Sequence, residues 1–263
     1  MGIYSSISDK FDSYYRYYYA RQHEQSNLDM LQLKYEHSYK VSEWSRLISE
    51  KENLSENIVE IAAVVGLLHD IGRFLQIDTY STLDDLKSVD HGDLGAEVLL
   101  QTKMTDGYPS EIQTAIIFAV KNHNKRTIQN YPNREAEVLT KIVRDADKID
   151  VFRVMHHHLA NGTEEQKKSV LLNLQESNTI SPQVDDFIRQ KVVVNKSMVR
   201  TTLDFKLMQL SWIFDFNFGS SLSIIRTSMH YRYLLDDVAA ISGCEGIADL
   251  IRSYLNEVKK CES

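Results

Sequence analysis

His69 and Asp70 stand side by side where an apolar run stops, in Leu67-Leu68-His69-Asp70-Ile71-Gly72-Arg73. Imidazole beside carboxylate is a borderline-to-hard ligand pair, suited to Zn, Fe, Mn or Co. The run before it, Ile58 to Leu68, reads as a buried helix, and Gly72 is placed to end that helix in a left-handed cap. Three more histidines occupy core-facing slots. His37 lies in the stripe Met30, Leu33, His37, Val41, Trp44, Ile48, and His123 in the stripe Ile112, Ile116, Ala119, His123. His91 shares a face with Leu94, Gly95 and Val98, and Gly95 would let another backbone come close. One such histidine is ordinarily a satisfied core residue. Four in one region, one beside an aspartate, are better satisfied by a shared metal ion, because a buried imidazole without a partner costs free energy. A cluster of acids, Arg144-Asp145-Ala146-Asp147-Lys148-Ile149-Asp150, interrupts a further apolar helix. Periodicity does not choose between Asp145 and Asp147, and ion pairs on a solvated face would also account for them.

The elements that must position these groups read as helices. Three prolines and ten glycines in 263 residues are few, and no segment alternates like a strand, which predicts an all-α chain. Helical periodicity runs over 7–25, 28–50, 57–70, 89–102, 110–122 and 134–159. Further helices are expected over 164–175, 183–193, 201–237 with a break near Gly219, and 246–260. Asn53-Leu54-Ser55-Glu56 has the pattern of a capping box, and Pro109 suits a helix start. The stretch from Gln76 to Lys87, with Asp78, Asp84 and Asp85, reads as a polar loop. Tyr14-Tyr15-Arg16-Tyr17-Tyr18-Tyr19 is expected to pack an N-terminal helix onto the body rather than to stack on a base. These elements divide into an N-terminal Tyr-rich segment over 1–27, a metal-binding domain over 28–160 and a C-terminal helical extension over 161–263. The join near Asn161-Gly162-Thr163 is the weakest point in the pattern.

A net charge of -7 argues against a nucleic-acid surface but not against a small anion held at a metal. Two cysteines, Cys244 and Cys261, make no disulfide framework, so a reducing cytoplasm is the expected setting. The N-terminus lacks a signal-peptide apolar stretch, and no apolar run is long enough for a bilayer. Met1-Gly2-Ile3-Tyr4-Ser5-Ser6 matches the myristoylation pattern, which is too short and common to carry weight.

The ordered set His37, His69-Asp70, His91, His123, Asp147 resembles the HD-domain superfamily of metal-dependent phosphohydrolases. Local contexts agree: Lys34-Tyr35-Glu36-His37-Ser38, Leu68-His69-Asp70-Ile71-Gly72-Arg73, Asp90-His91-Gly92-Asp93, Lys121-Asn122-His123-Asn124 and Arg144-Asp145-Ala146-Asp147-Lys148. The resemblance covers roughly Leu28 to Ala160 and implies an all-helical bundle. It implies that His37, His69, Asp70 and Asp147 hold one divalent transition-metal ion (Mn, Fe, Co, Ni or Zn). His91 and His123 would hold a second ion, with Asp70 bridging. Asp70 and Arg73 are the catalytic candidates: Arg73, just past the motif, could clamp a substrate phosphate, Lys148 could reach the same pocket, and Lys125, close after His123, is a third such cation. The implied activity is hydrolysis of a small phosphoester, a nucleotide among the candidates, by metal-activated water. No membrane or nucleic-acid partner is expected, and the reading leaves room for a homo-oligomer.

Several departures narrow this. Gly107-Tyr108-Pro109 precedes His123, whereas the cyclic-di-GMP phosphodiesterase branch has that tripeptide after paired histidines, and residue 124 is Asn. No Glu-Asp pair of the alarmone-hydrolase kind follows His69-Asp70, and residue 73 is Arg, not the catalytic Glu of the deoxynucleotidases. Two alternatives stand beside hydrolysis. One is the mixed-valence di-iron oxygenase branch, which uses the same six ligands. The other is a catalytically silent ligand-sensing module. His156-His157-His158 points in too many directions for a buried site, and neither His23 nor His230 has an evident partner.

Overall fold

The computed structural model describes residues 3–128, 130–164, 167, 171 and 174–261. It is all-α. Among the described residues the only extended pairing is a single bridge between Gln175 and Thr201. Two compact units divide the chain, 1–150 and 151–263. The divide falls inside one helix, upstream of the join read at Asn161-Gly162. Most of the helix expected over 164–175, and the Met1-Gly2 start of the myristoylation pattern, lie outside the described residues.

The first unit contains α1 (Ile3–Tyr19), α2 (Gln25–Lys51), α3 (Glu56–Leu68), α4 (Gly72–Tyr80), α5 (His91–Thr102), α6 (Ser110–Asn122) and the first part of α7 (Arg134–Asn161). Helices α2 and α3 approach closely because the facing residues are small. Ser38, Ser42, Ser45 and Ser49 of α2 are buried, as are Ala62, Ala63 and Gly66 of α3. Ser42 Oγ donates to the Ala63 carbonyl at 2.7 Å. A Cβ on Gly66 would collide with Ser45 Oγ and the Val41 carbonyl oxygen. Around this seam Leu31, Ile48, Ile61, Leu67, Leu68, Ile71 and Phe74 form the core. Each such side chain contributes about 1.5–3 kcal/mol by leaving water. Helix α1 docks through aromatics, as expected: Phe11 and Tyr15 pack on Phe74, and Tyr15 stacks on Tyr35 with centroids 4.2 Å apart.

Three local expectations resolve differently here. Gly72 is not a left-handed cap, since the only glycine with positive φ among the described residues is Gly243. His69 instead continues in right-handed geometry (φ -55°, ψ -40°), and Gly72 opens α4. Its missing side chain serves close approach: a Cβ there would strike the His91 carbonyl oxygen and the Gly95 amide of α5. The supposed loop from Gln76 is helical to Tyr80, because Phe74, Gln76 and Ile77 are all buried. The capping-box pattern also resolves differently. Ser55, not Asn53, caps α3, accepting from the Ile58 amide at 3.5 Å.

The second unit contains the end of α7, then α8 (Pro182–Arg189), α9 (Thr202–Leu210), α10 (Gly219–Thr227), α11 (Met229–Ala239) and α12 (Glu245–Cys261). The helix expected over 201–237 is three helices. A 3-10 turn over Ser211–Asp215 follows α9, and Ser228 caps α11 by accepting from the Tyr231 amide at 3.4 Å. The aromatic stretch 212–218 packs within the unit: Trp212 lies against Phe152 and Phe214 against Tyr254.

Candidate metal centre

Six elements of the first unit converge on Asp70. The close α2–α3 seam puts His37 beside His69, with Nε2 atoms 3.3 Å apart. The Gly72–α5 approach and α6 put His91 beside His123, with Nε2 atoms 3.0 Å apart. Asp70 lies between the two pairs. Its Oδ2 is 3.4 Å from His69 Nε2 and 3.7 Å from His37 Nε2, and its Oδ1 is 3.4 Å from His91 Nε2 and 3.8 Å from His123 Nε2. Asp147 Oδ1 stands 3.0 Å from His37 Nε2 and 3.8 Å from His69 Nε2. Asp147 therefore faces the first pair. Asp145 is fully buried and belongs to none of the ligand groupings.

All four rings are held by their other nitrogen. His69 Nδ1 meets the Gly66 carbonyl and His123 Nδ1 the Val120 carbonyl, each at 2.7 Å. His37 Nδ1 meets Asp150 Oδ2 at 2.7 Å and His91 Nδ1 meets Asp85 Oδ2 at 2.6 Å. Every Nδ1 faces an acceptor and so carries hydrogen, which leaves each neutral ring with a lone pair on Nε2. Four lone pairs and two carboxylates aimed at one another are mutually repulsive unless a cation sits among them. The donor set therefore fits a divalent metal ion, and the outward hydrogen bonds are those that orient metal-binding histidines.

Electrostatics follow from this crowding. Burial alone would raise the Asp70 carboxyl, but Lys34 and His69 outweigh it and hold it well below the usual carboxylate range. Burial and the neighbouring His91 and His69 push His123 down to about 3. Burial also lowers His91, against the pull of Asp85. His37 is the exception: burial and Lys34 depress it, and the hydrogen bonds to Asp147 and Asp150 prevail and raise it.

The sequence profile of the HD domain matches residues 35–151. Residues 35–151 form an HD domain. All six expected ligands lie inside it, and its clustered histidines and aspartates suit a divalent metal. No curated protein and no solved structure matches the chain. Among the described residues no helix is long and apolar enough to cross a membrane.

The basic candidates around the HD centre differ in what they touch. Arg73 is largely buried, and its Nη1 donates to Gln76 Oε1, the Leu83 carbonyl and Asp85 Oδ1 at 2.7, 2.7 and 2.8 Å. Its Nε lies 3.5 Å from Asp70 Oδ1, and its Nη2 lies 3.5 Å from His91 Nε2. Nη1 is thus taken by the protein, and the Nε–Nη2 edge is the one turned toward Asp70 and His91. Lys125 Nζ is engaged by Asp90 Oδ1 at 2.7 Å and Asp93 Oδ2 at 2.9 Å. Lys148 is half-buried on α7 next to Asp147. Sequence reasoning missed Lys34, whose Nζ lies 2.7 Å from Asp70 Oδ2. Its place one turn before His37 on the same helix face was the available signal. It also missed Asp85 and Asp150 as the anchors of His91 and His37. In the second unit His230, which had no evident partner, meets His156 with Nδ1 atoms 2.7 Å apart.

Proposed function

We propose that this chain is a metal-dependent phosphohydrolase that cleaves a small phosphoester, with two divalent transition-metal ions in the HD centre. The observation that supports it best is the two-sided environment of Asp70, with one histidine pair facing each carboxylate oxygen. His37, His69, Asp70 and Asp147 would hold one ion, and His91, His123 and the second oxygen of Asp70 the other. Ions so held would supply a hydroxide near neutral pH and grip phosphate oxygens.

The chain's own residues complete the arrangement. Lys34 and Arg73 flank the two oxygens of Asp70 from opposite ends. An ammonium and one guanidinium arm at those places meet the charge that builds on phosphate and leaving-group oxygens. Lys148, beside Asp147, is a further contact for the same anion. Lys125 is assigned to its two aspartates rather than to substrate. Asp150 and Asp85 keep the Nε2 lone pairs of His37 and His91 turned inward. The net charge of -7 leaves recognition of an anion to this local set of cations.

The test is elemental analysis of full-length protein purified without chelator, joined to an assay of metal-loaded protein on nucleotides and aryl phosphates. Close to two ions per chain and turnover of at least one phosphoester are expected. An HD fold also serves members that do not hydrolyse. Bound iron with oxygen consumption and no phosphoester cleavage would replace the proposal with the oxygenase reading. Absence of bound metal would leave a ligand-sensing module.

A further inference from the structure

We infer that Asp85 is a positioning residue that sets occupancy of the second ion, and that Arg73 Nη1 and Gln76 hold Asp85 in place. This rests on the two-ion reading above and adds to it a control point on the loop between α4 and α5.

His91 differs from the other three histidines in how its ring is fixed. His69 and His123 each follow a helix, so a carbonyl three residues back meets Nδ1 as a consequence of the fold. His37 is held by Asp150, which is fully buried on α7. His91 is the first residue of α5 and has no preceding helical turn to offer a carbonyl. Its Nδ1 partner must be brought from elsewhere, and Asp85 Oδ2 supplies it at 2.6 Å.

Asp85 sits in a short 3-10 turn, Asp85–Lys87, and its side chain is 29% exposed. Burial does not hold that turn, because the next residue, Leu86, is 87% exposed. Polar contacts hold it instead. Asp85 Oδ1 accepts from Arg73 Nη1 at 2.8 Å and from Gln76 Nε2 at 2.9 Å. Arg73 Nη1 also donates to the Leu83 carbonyl at 2.7 Å. Gln76, with no exposed surface at all, also donates to Ser88 Oγ and the Val89 carbonyl at 2.8 and 2.9 Å. A buried amide and one guanidinium nitrogen thus fasten 83–89 onto α4, with the Asp85 carboxylate at their centre.

The consequence is chemical. A histidine binds metal through Nε2 only when its proton sits on Nδ1, and the acceptor at Nδ1 fixes both tautomer and ring plane. The first ion's histidines depend on buried or helical acceptors, whereas His91 depends on a loop. The second ion is therefore the one whose occupancy the loop controls.

The experiment compares wild type with Asp85→Ala, Asp85→Asn and Gln76→Ala as full-length proteins. Mn(II) titration with elemental analysis measures both ions. Imidazole 15N–1H correlation spectra of metal-free protein report the His91 tautomer independently of any metal. Asp85→Ala is expected to weaken the second ion about 10- to 100-fold, the usual cost of losing such an anchor, and to leave the first unchanged. Its His91 spectrum should show mixed tautomers, against a single Nδ1–H form in wild type. Asp85→Asn, which keeps an acceptor, should recover part of both effects, and Gln76→Ala should show a smaller shift in the same direction. Two ions bound by Asp85→Ala at wild-type affinity would overturn the inference while leaving the two-ion reading intact. A wild type that binds one ion or none would overturn both.

Discussion

Asp70 in the first unit and Asp204 in the second are both buried carboxylates, and their surroundings are opposite. Asp204 has no exposed surface, and its oxygens are closed off by donors from its own neighbourhood. Oδ1 accepts from the Ser181 amide at 2.9 Å, and Oδ2 from Ser181 Oγ at 2.7 Å and the amides of Arg200 and Thr201 at 3.0 and 3.2 Å. These donors carry their hydrogens in any state of the protein. Asp70 has one close fixed donor, Lys34 Nζ at 2.7 Å from Oδ2, and otherwise faces four imidazole Nε2 atoms on rings whose Nδ1 is held by an acceptor. A carboxylate ringed by fixed donors ties chain segments together. One faced by four imidazole Nε2 atoms suits a cation. Burial alone does not separate these roles; the hydrogen count of the neighbours does.

The sharpest way to break the comparison is to remove each carboxylate. Asp70→Ala should abolish binding of both ions and all phosphoester turnover, with far-UV circular dichroism close to wild type. Full metal content in that variant would show that Asp70 is not the bridge. Asp204→Ala should do the reverse. Metal content per folded chain should hold, while urea unfolding of the second unit loses about 2–4 kcal/mol, because several donors to a charged group are left unpaired. An Asp204 variant as stable as wild type would mean that water replaces the lost oxygens without cost.

Acid offers a second separation. Burial would raise the Asp204 carboxyl, but the Ser181 hydrogen bonds and the Arg200 and Thr201 amides hold it below its ordinary value. A depressed carboxyl contributes stability above the unfolded value of about 3.8, and that contribution is lost as pH falls through the folded value. Among the metal ligands His37 fails earlier, because it is raised above its ordinary value near 6.5 and protons compete for it first. Loss of the ion held by His37 should therefore be complete by about pH 5, while the near-UV signal of Trp212, read in a Trp44→Phe variant, persists to about pH 4. Coincident transitions would merge what the comparison keeps apart.

Much of this was legible before any coordinates. The histidine stripes, the His69-Asp70 pair and the helix over 110–122 follow from spacing, because an amphipathic helix records its inward face every three or four residues. Three kinds of feature were not legible. Partners far apart in sequence leave no local pattern, as with Asp150 on His37, 113 residues away. Buried polar residues imitate loops: Gln76 reads as the start of a polar stretch, yet it is sealed inside and donates to three acceptors. Lastly, a long periodic stretch such as 201–237 does not show where side-chain caps restart it, as Ser228 does before α11.

Asp90 lies between the two extremes and gives the smallest expected effect. It is adjacent to His91, so its position alone would make it a ligand candidate. Its oxygens are already taken: Oδ1 accepts from the Gly92 and Asp93 amides at 3.0 Å each, and Lys125 and Asn124 also donate to the carboxylate. Burial would raise it, and the Lys125 hydrogen bond and the Asp93 amide instead hold it at about 2. By the hydrogen-count criterion Asp90 is a helix cap, and Lys125 is its counter-ion rather than a substrate contact. The pair is partly exposed, so Lys125→Ala should cost no more than about 1 kcal/mol in urea unfolding. Metal content should be unchanged, and turnover of the best phosphoester should stay within about twofold of wild type. A KM raised tenfold or more at unchanged stability would place Lys125 on the substrate after all. In that case Asp90 and Asp93 hold a binding residue in reserve, and the count of fixed donors around a carboxylate no longer tells a structural tie from a working site.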